Sequence, residues 1–192
     1  MTKIKLSDAE MELVNNSSII LKKNNIIRKV YDLMGDLQMA YKDILQQYHL
    51  PDEIVKISPK ISKGENYEGL PWVMLDYPRY FTGTDVFAIR TFFWWGHFFS
   101  ISLQTKGKYK LQLQVGDNNF QGIENLYLCC NENEWQHHFR EDNYLQFVSF
   151  KQEKIDAMSF IKLSTKIPLQ EWDNVYNFLS KNFNELIAQS VK

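Results

Sequence analysis

The chain has little of several features that define whole classes of protein. Its two cysteines, Cys129 and Cys130, are neighbours, so on a strand they would point to opposite faces and could not readily form a disulfide. The longest apolar run, Thr91 to Ser100, falls well short of the ~20 residues that a membrane helix needs. The N-terminus lacks an apolar stretch of signal-peptide length. We therefore expect a cytoplasmic protein that does not enter a membrane.

An excess of charge of one sign is also missing. The chain carries 22 basic and 23 acidic residues, with a formal net charge of −1. Proteins that bind nucleic acids usually carry a basic surface, so a nucleic-acid partner is disfavoured. The hydrophobic share of 44% and the charged share of 23% are typical of globular chains. The length of 192 residues fits one domain around one core, which we predict to cover residues 1–192.

Common active-site motifs are absent from the sequence. It contains no Gly-x-Ser-x-Gly elbow, Walker A loop, GxGxxG, HExxH or EF-hand loop. His137 and His138 are adjacent and cannot readily direct both rings at one ion, so we expect solvated loop residues there. The sequence therefore predicts no metal, no cofactor and no catalytic residue, and an enzyme is the less favoured interpretation.

Hydrophobic periodicity predicts an α+β fold with helices at both ends of the chain. N-terminal helices are expected over about 7–49, beginning with the capping-box spacing of Ser7 and Glu10. The main helix runs from about Asn25 to Tyr48, and a C-terminal helix covers about 169–188. Apolar residues of the main helix step by three and four, which also fits positions a and d of a coiled coil, but the two tyrosines at a positions favour packing on a sheet. They are Ile27, Val30, Met34, Leu37, Tyr41, Ile44 and Tyr48.

The residues from about 70 to 167 predict an antiparallel sheet of about five to seven strands. Lys56 to Gly69 is predicted to be a polar connector, and Tyr109 to Val115 alternates as a strand does. Pro78 restricts its segment to an edge strand or a bend, because proline cannot donate a ladder hydrogen bond.

An aromatic hairpin is predicted around a two-residue loop, Gly96-His97. That loop pairs Trp95 with Phe98 and places Arg90 on the same face as Phe92 and Trp94. Phe93, Trp95 and Phe98 then share the other face. A slip of one residue would change these pairings.

Arg90 is the most unusual residue of the hairpin, since a buried guanidinium must meet a carboxylate, carbonyl oxygens or an anionic ligand. An internal pair with Asp76, Asp85 or a glutamate is the favoured prediction. The alternative is a cleft for a small anionic ligand, held by Arg90 or Arg79. Aromatic residues would line this cleft: Tyr67, Trp72 and Tyr77.

Phe93, Trp95 and Phe98 are core if a helix covers them and an interaction surface if nothing does. From these residues we predict a non-catalytic binding or protein-interaction domain, with a homo-oligomer or a protein partner. The alternative is a protein that binds a small anionic ligand, or an enzyme, using the Arg90 cleft.

A resemblance adds an expectation about the whole chain. The stretch SPKISKGENYEGLPWVMLDYPRYF followed by DVFAIRTFFWWGHFFSISL resembles bacterial hypothetical proteins of uncharacterised function. The resemblance implies a single compact cytoplasmic domain and supplies no activity, cofactor or catalytic residue.

Overall fold

A seven-stranded antiparallel sheet forms the centre of the structure. The computed structural model describes residues 3–113, 120, 122–150 and 152–190. The strands are β1 (Lys60–Tyr67), β2 (Leu70–Phe81), β3 (Val86–Trp94), β4 (Phe98–Lys106), β5 (Tyr127–Cys129), β6 (Tyr144–Gln146) and β7 (Phe160–Pro168). They lie in the order β1-β2-β3-β4-β7-β5-β6. The predicted α+β class and the antiparallel sheet are confirmed.

Two helices cover one face of this sheet, which we call the helix-covered face. The described residues form six α-helices: α1 (Asp8–Asn15), α2 (Ser17–Leu45), α3 (Asp52–Val55), α4 (Lys108–Gln112), α5 (Gln152–Ala157) and α6 (Val175–Ser190). The two helices that cover the sheet are α2 and α6, which make the main helix contacts with it. The predicted stripe of α2 is buried from Ile27 to Tyr41, which confirms core packing. Among the described residues, none of the helices combines the length and the apolar character needed to cross a membrane.

The pairing of α2 with α6 is fixed by an aromatic stack in the core. The rings of Tyr41 and Phe183 are parallel, with their centroids 3.7 Å apart. The Tyr41 hydroxyl shares a 2.9 Å hydrogen bond with Oγ1 of Thr91 on β3. Burial raises the pKa of this phenol, so Tyr41 stays neutral and needs the threonine as its partner. The stack therefore joins both long helices to the middle of the sheet.

A loop rather than a helix covers the opposite face of the sheet. Residues 131–143, which we call the covering segment, lie over the alternate side chains of β3, β4 and β7. We call this side the loop-covered face. Every residue of β3 is buried, because both faces of the strand are covered.

The hairpin between β3 and β4 differs from the prediction by one residue. Trp94 pairs with Phe98 and Arg90 pairs with Ser102, so the loop has three residues, Trp95 to His97. The predicted two-residue loop is wrong, and the faces of β4 are exchanged as a consequence. The positive φ of 76° at Gly96 and the stacking of Trp94 on His97, 3.6 Å between centroids, stabilise the longer loop.

Two other segments differ from the prediction. The predicted connector, Lys56 to Gly69, contains the edge strand β1, most of whose side chains are at least partly exposed to solvent. The predicted strand from Tyr109 begins as the short helix α4, and Val115 lies outside the described residues. Pro78 lies within β2 at a shift of the β2–β3 register, beyond the part of β2 that pairs with β1. This part of β2 therefore has a neighbouring strand on one side only, so the predicted edge or bend at Pro78 is confirmed.

We expect Phe183→Ala to lower the free energy of unfolding by about 3–5 kcal/mol, because it removes the stacked ring and leaves a cavity beside Tyr41. Urea denaturation monitored by circular dichroism measures this. Tyr176→Ala, at a position of the same helix that is 39% exposed, serves as the control and should cost less. Equal losses in the two variants would show that the stack does not fix the helix pair.

Candidate functional site

The structure brings together three of the five predicted ligand residues. Arg90, Tyr67 and Trp72 lie on the loop-covered face, where Tyr67 contacts Phe92 edge-on with 5.5 Å between the ring centroids. The other two lie elsewhere. Tyr77 packs in the core under the helices, and Arg79 donates from Nε to the carbonyl oxygen of Ser58 at 2.8 Å. The five residues therefore do not line one cleft.

Arg90 is paired inside the protein. Its Nε donates to Oδ1 of Asp76 at 2.6 Å, and a second nitrogen lies 3.4 Å from Oδ2. The guanidinium also lies 5.3 Å from the ring centre of Trp135 in the covering segment. Asp76 and Arg90 are neighbours in the β2–β3 register and both are buried. The predicted internal pair with Asp76 is thus observed, and the carboxylate occupies the position that an anionic ligand would need.

A row of polar side chains continues from this pair across the loop-covered face. The strand registers connect Asp76 to Arg90, Arg90 to Ser102 and Ser102 to Ser164. The hydroxyl groups of Ser102 and Ser164 are hydrogen-bonded to each other, and Tyr144 Oη lies 3.1 Å from Ser164 Oγ. Each buried group therefore has a partner on a neighbouring strand, as a dry polar layer requires.

Lys162 holds the covering segment onto the sheet. It lies on β7 with no exposed surface, and its Nζ donates to the carbonyl oxygens of Glu134 at 2.9 Å and Gln136 at 2.6 Å. Gln104, its neighbour on β4, donates to the Glu134 carboxylate at 2.6 Å. Burial lowers the pKa of Lys162 to about 7, so its charge changes near neutral pH.

Tyr67 holds the other half of the covering segment. Its hydroxyl oxygen accepts hydrogen bonds from the backbone N–H groups of His137 and His138, at 2.8 and 3.1 Å. The His137 ring packs on Phe92 with 4.9 Å between centroids. Both histidines are buried, so the predicted solvated loop residues are wrong. Burial and the neighbouring cations lower the pKa of His137 well below its usual value, so this ring stays neutral.

A pocket of about 430 Å³ opens at one end of the covering segment. It lies between the end of β5 and the turn from α5 into β7. Its lining is Cys129, Cys130, Asn131, Glu132, Ala157, Met158, Ser159 and Phe160. The lining contains no cation, and burial raises the pKa of the Cys129 thiol, which makes it a poor nucleophile.

The predicted interaction residues are largely inside the protein. Phe93 is 2% exposed and packs under the helices, and Phe98 is 7% exposed beside Phe139 of the covering segment. Trp95 is partly buried against the core at the hairpin loop. The correction has a physical reason: both faces of the hairpin are covered, one by helices and one by a loop.

The largest group of exposed apolar side chains lies instead at the N-terminus. We call residues 3–26 the N-terminal arm; it comprises α1 and the first ten residues of α2. None of the residues of α1 is buried, and burial of α2 begins at Ile27. The exposed apolar residues of the arm are Ile4, Leu6, Met11, Leu13, Val14, Ile19, Ile20, Leu21 and Ile26. The arm therefore presents apolar surface that the other described residues leave exposed.

Sequence reasoning missed both Lys162 and the arm. Lys162, Ser164 and Lys166 alternate along FIKLSTK, and this pattern is typical of a strand with one solvated face. Only the covering segment turns that face into an interior. The arm could have been recognised from three apolar residues that precede the predicted main helix, Ile19, Ile20 and Leu21. These residues continue the apolar pattern beyond the length that the sheet can cover.

Comparison with known proteins adds no family to this picture. No protein-family model, curated protein or solved structure matches the chain. The described residues contain no group of three or more His, Cys, Asp or Glu side chains that could hold a metal ion. The resemblance to bacterial hypothetical proteins and the cytoplasmic location stay predictions.

We expect stability to rise with pH above 7 because of Lys162. Between its folded pKa of about 7 and its higher unfolded pKa, the unfolded chain binds a proton that the folded chain has lost. The free energy of unfolding should rise across this window by up to roughly 1.4 kcal/mol per pH unit. Lys162→Met should remove this contribution, as measured by urea denaturation from pH 6 to 9.5. Lys166→Met, at an exposed position of the same strand, is the control and should change the slope less, and a slope unchanged by Lys162→Met would contradict the assignment.

The Asp76–Arg90 pair predicts a second stability effect. Asp76→Ala should cost about 3–5 kcal/mol, because it leaves a buried guanidinium without its carboxylate. The double variant Asp76→Leu/Arg90→Met should lie close to the wild type, since neither charge remains. Asp52→Ala, which breaks the exposed pair with Lys56, should have little effect. Denaturant midpoints measure all three, and a double variant as unstable as Asp76→Ala would argue against the pair as the cause.

Proposed function

We propose that this protein is a protein-interaction domain and that the N-terminal arm is its binding surface. The observation that carries the proposal is the cluster of nine large apolar side chains exposed within 24 residues of the arm. Exposed apolar surface of this extent marks interaction sites in proteins. The proposal keeps the predicted class of function and moves the surface from the aromatic hairpin to the arm.

The apolar area of the arm is sufficient for a stable interface. At about 30 Å² for each methylene-sized group, the exposed parts of these side chains amount to on the order of 600 Å². An interface of standard size buries about 800 Å² on each partner, of which somewhat more than half is apolar. One partner in contact with the whole arm would therefore bury a standard interface.

The length of α1 supports the same conclusion. This helix has eight residues and no buried side chain, and its ends are formed by the Ser7 capping box and by Asn16. Isolated helices shorter than ~12 residues are marginal in water, even with good caps. A surface that packs against the apolar side of α1 would supply the missing stabilisation.

The pocket beside Cys129 favours a second candidate function, the binding of a small molecule. Its volume of about 430 Å³ falls within the range of ligand sites. Because Arg90 is paired and Arg79 is bonded to Ser58, neither arginine supports the predicted anionic ligand. Native mass spectrometry of the protein from its own host tests this candidate, and a bare chain mass would count against it.

The test of the main proposal is recovery of the tagged protein from its own host. The wild type should retain a partner in a fixed ratio, whether further copies of the chain or another protein. The triple variant Leu13→Ser/Ile20→Ser/Leu21→Ser should lose that partner, because it removes much of the exposed apolar surface of the arm. Met39→Ser, at an exposed apolar position of α2 outside the arm, should retain it.

Circular dichroism and the unfolding midpoint show whether the triple variant keeps its fold. Since all three positions are more than half exposed, we expect the midpoint to change little. A triple variant that binds the same partner as the wild type would refute the proposal, and so would a wild type that retains none.

A further inference from the structure

We infer that the partner of the N-terminal arm is a second copy of this chain, with α1 of each copy packed against the start of α2 of the other. This inference rests on the proposed function and adds the identity of the partner. It follows from the distribution of charge and apolar side chains between the two helices of the arm.

The helix α1 is acidic. Its sequence DAEMELVN contains Asp8, Glu10 and Glu12 and no basic residue. Glu10 accepts hydrogen bonds from the backbone and side chain of Ser7 and so completes the helix cap. Asp8 and Glu12 are exposed and can contact another chain.

The start of α2 is basic. From residue 17 to residue 31 it carries four cations and no acidic residue: Lys22, Lys23, Arg28 and Lys29. Lys23 pairs with Glu65 of β1 at 2.5 Å, and the other three remain exposed. Of the ion pairs between described residues, none joins α1 to α2 of the same chain. The opposite charges of the two helices are therefore available to a partner.

A dimer with two-fold symmetry gives both α1 and the start of α2 a helix of opposite charge as partner. In a symmetric dimer the same surface of each copy takes part, so every α1–α2 contact occurs twice. The acidic α1 of each copy then packs against the basic start of α2 of the other copy. The apolar side chains of these four helices pack together in the interface. The charge pairs at the edge of such a bundle set the pairing of the helices.

The distribution of apolar residues around α2 favours a helical partner over a membrane surface. Ile19 and Leu21 are both exposed and lie roughly 160° apart around the helix. A flat lipid surface contacts one side of a helix, whereas neighbouring helices contact two. The carboxylates of Asp8 and Glu12 are also unfavourable next to anionic lipid.

The experiment is a charge reversal followed by mixing. One variant carries Asp8→Lys/Glu12→Lys, which makes α1 basic. The other carries Lys22→Glu/Lys29→Glu, which makes one line of α2 acidic. All four positions are exposed, and Glu10 and Lys23 are left unchanged because they have partners within the chain.

We expect the wild type to sediment as a dimer and each variant alone to dissociate with a Kd raised about tenfold or more, since both helix contacts in its homodimer repel. An equimolar mixture of the two variants should regain the dimer. In the mixed dimer every basic helix again meets an acidic one. Recovery on mixing excludes misfolding of the variants, and it also excludes a contact confined within one chain.

Several outcomes would overturn the inference. One is a monomeric wild type; a second is a pair of variants that dimerise as tightly as the wild type; a third is a mixture that stays monomeric. None of these outcomes decides the proposed function, which fails if the triple variant of the arm keeps the partner recovered from the host or if the wild type retains no partner there. Addition of vesicles of phosphatidylserine and phosphatidylcholine to the wild type completes the test, since binding to them in place of dimerisation would also overturn the inference.

Discussion

The loop-covered face depends on one constraint, the exclusion of water by the covering segment. Arg90, Lys162 and Ser164 would be ordinary surface residues on a sheet with one solvated face. Under residues 131–143 each must find a partner within the protein, and each does: a carboxylate, two carbonyl oxygens and two hydroxyl groups, respectively. The covering segment is held by the groups that it buries. Sheet and loop are therefore stable only together.

The two ends of α2 show how burial divides the helix into a part packed in the core and the exposed N-terminal arm, which is the proposed binding surface. From Ile27 to Leu45 the apolar stripe of the helix lies on the sheet and stacks with α6. The ten residues before Ile27 continue the same helix without a buried residue, and Lys23 among them pairs with Glu65 of β1. The body supplies the rigidity, because a helix anchored over five turns keeps its free end in position. The arm supplies apolar area that is not needed for the fold.

Sequence periodicity was sufficient for the long elements. The stripe of α2, strands β3, β4 and β7, and the C-terminal helix follow from spacing alone, because burial of one side leaves a pattern of period 3.6 or 2. The short or polar elements could not be predicted in this way. The edge strand β1 is mostly polar and has no clear apolar alternation. Around α4 the apolar residues alternate from Tyr109 to Leu113, a pattern that is typical of a strand. Trp172 and Tyr176 fit the apolar spacing of the C-terminal helix, but both are more than a third exposed, and Trp172 lies before α6 begins at Val175.

By itself the sequence determined the fold class, the antiparallel sheet and the need of Arg90 for a partner that compensates its charge, because these follow from local patterning and from the cost of burying a charge. The tertiary structure alone decided that Asp76 is the partner, that Lys162 is buried and that Phe93 and Phe98 are core. It also decided that the arm is left uncovered. The reason is the same in each case: burial depends on what lies on the far side of an element, and neither the register of a hairpin nor the path of a distant loop is encoded in the spacing of nearby residues.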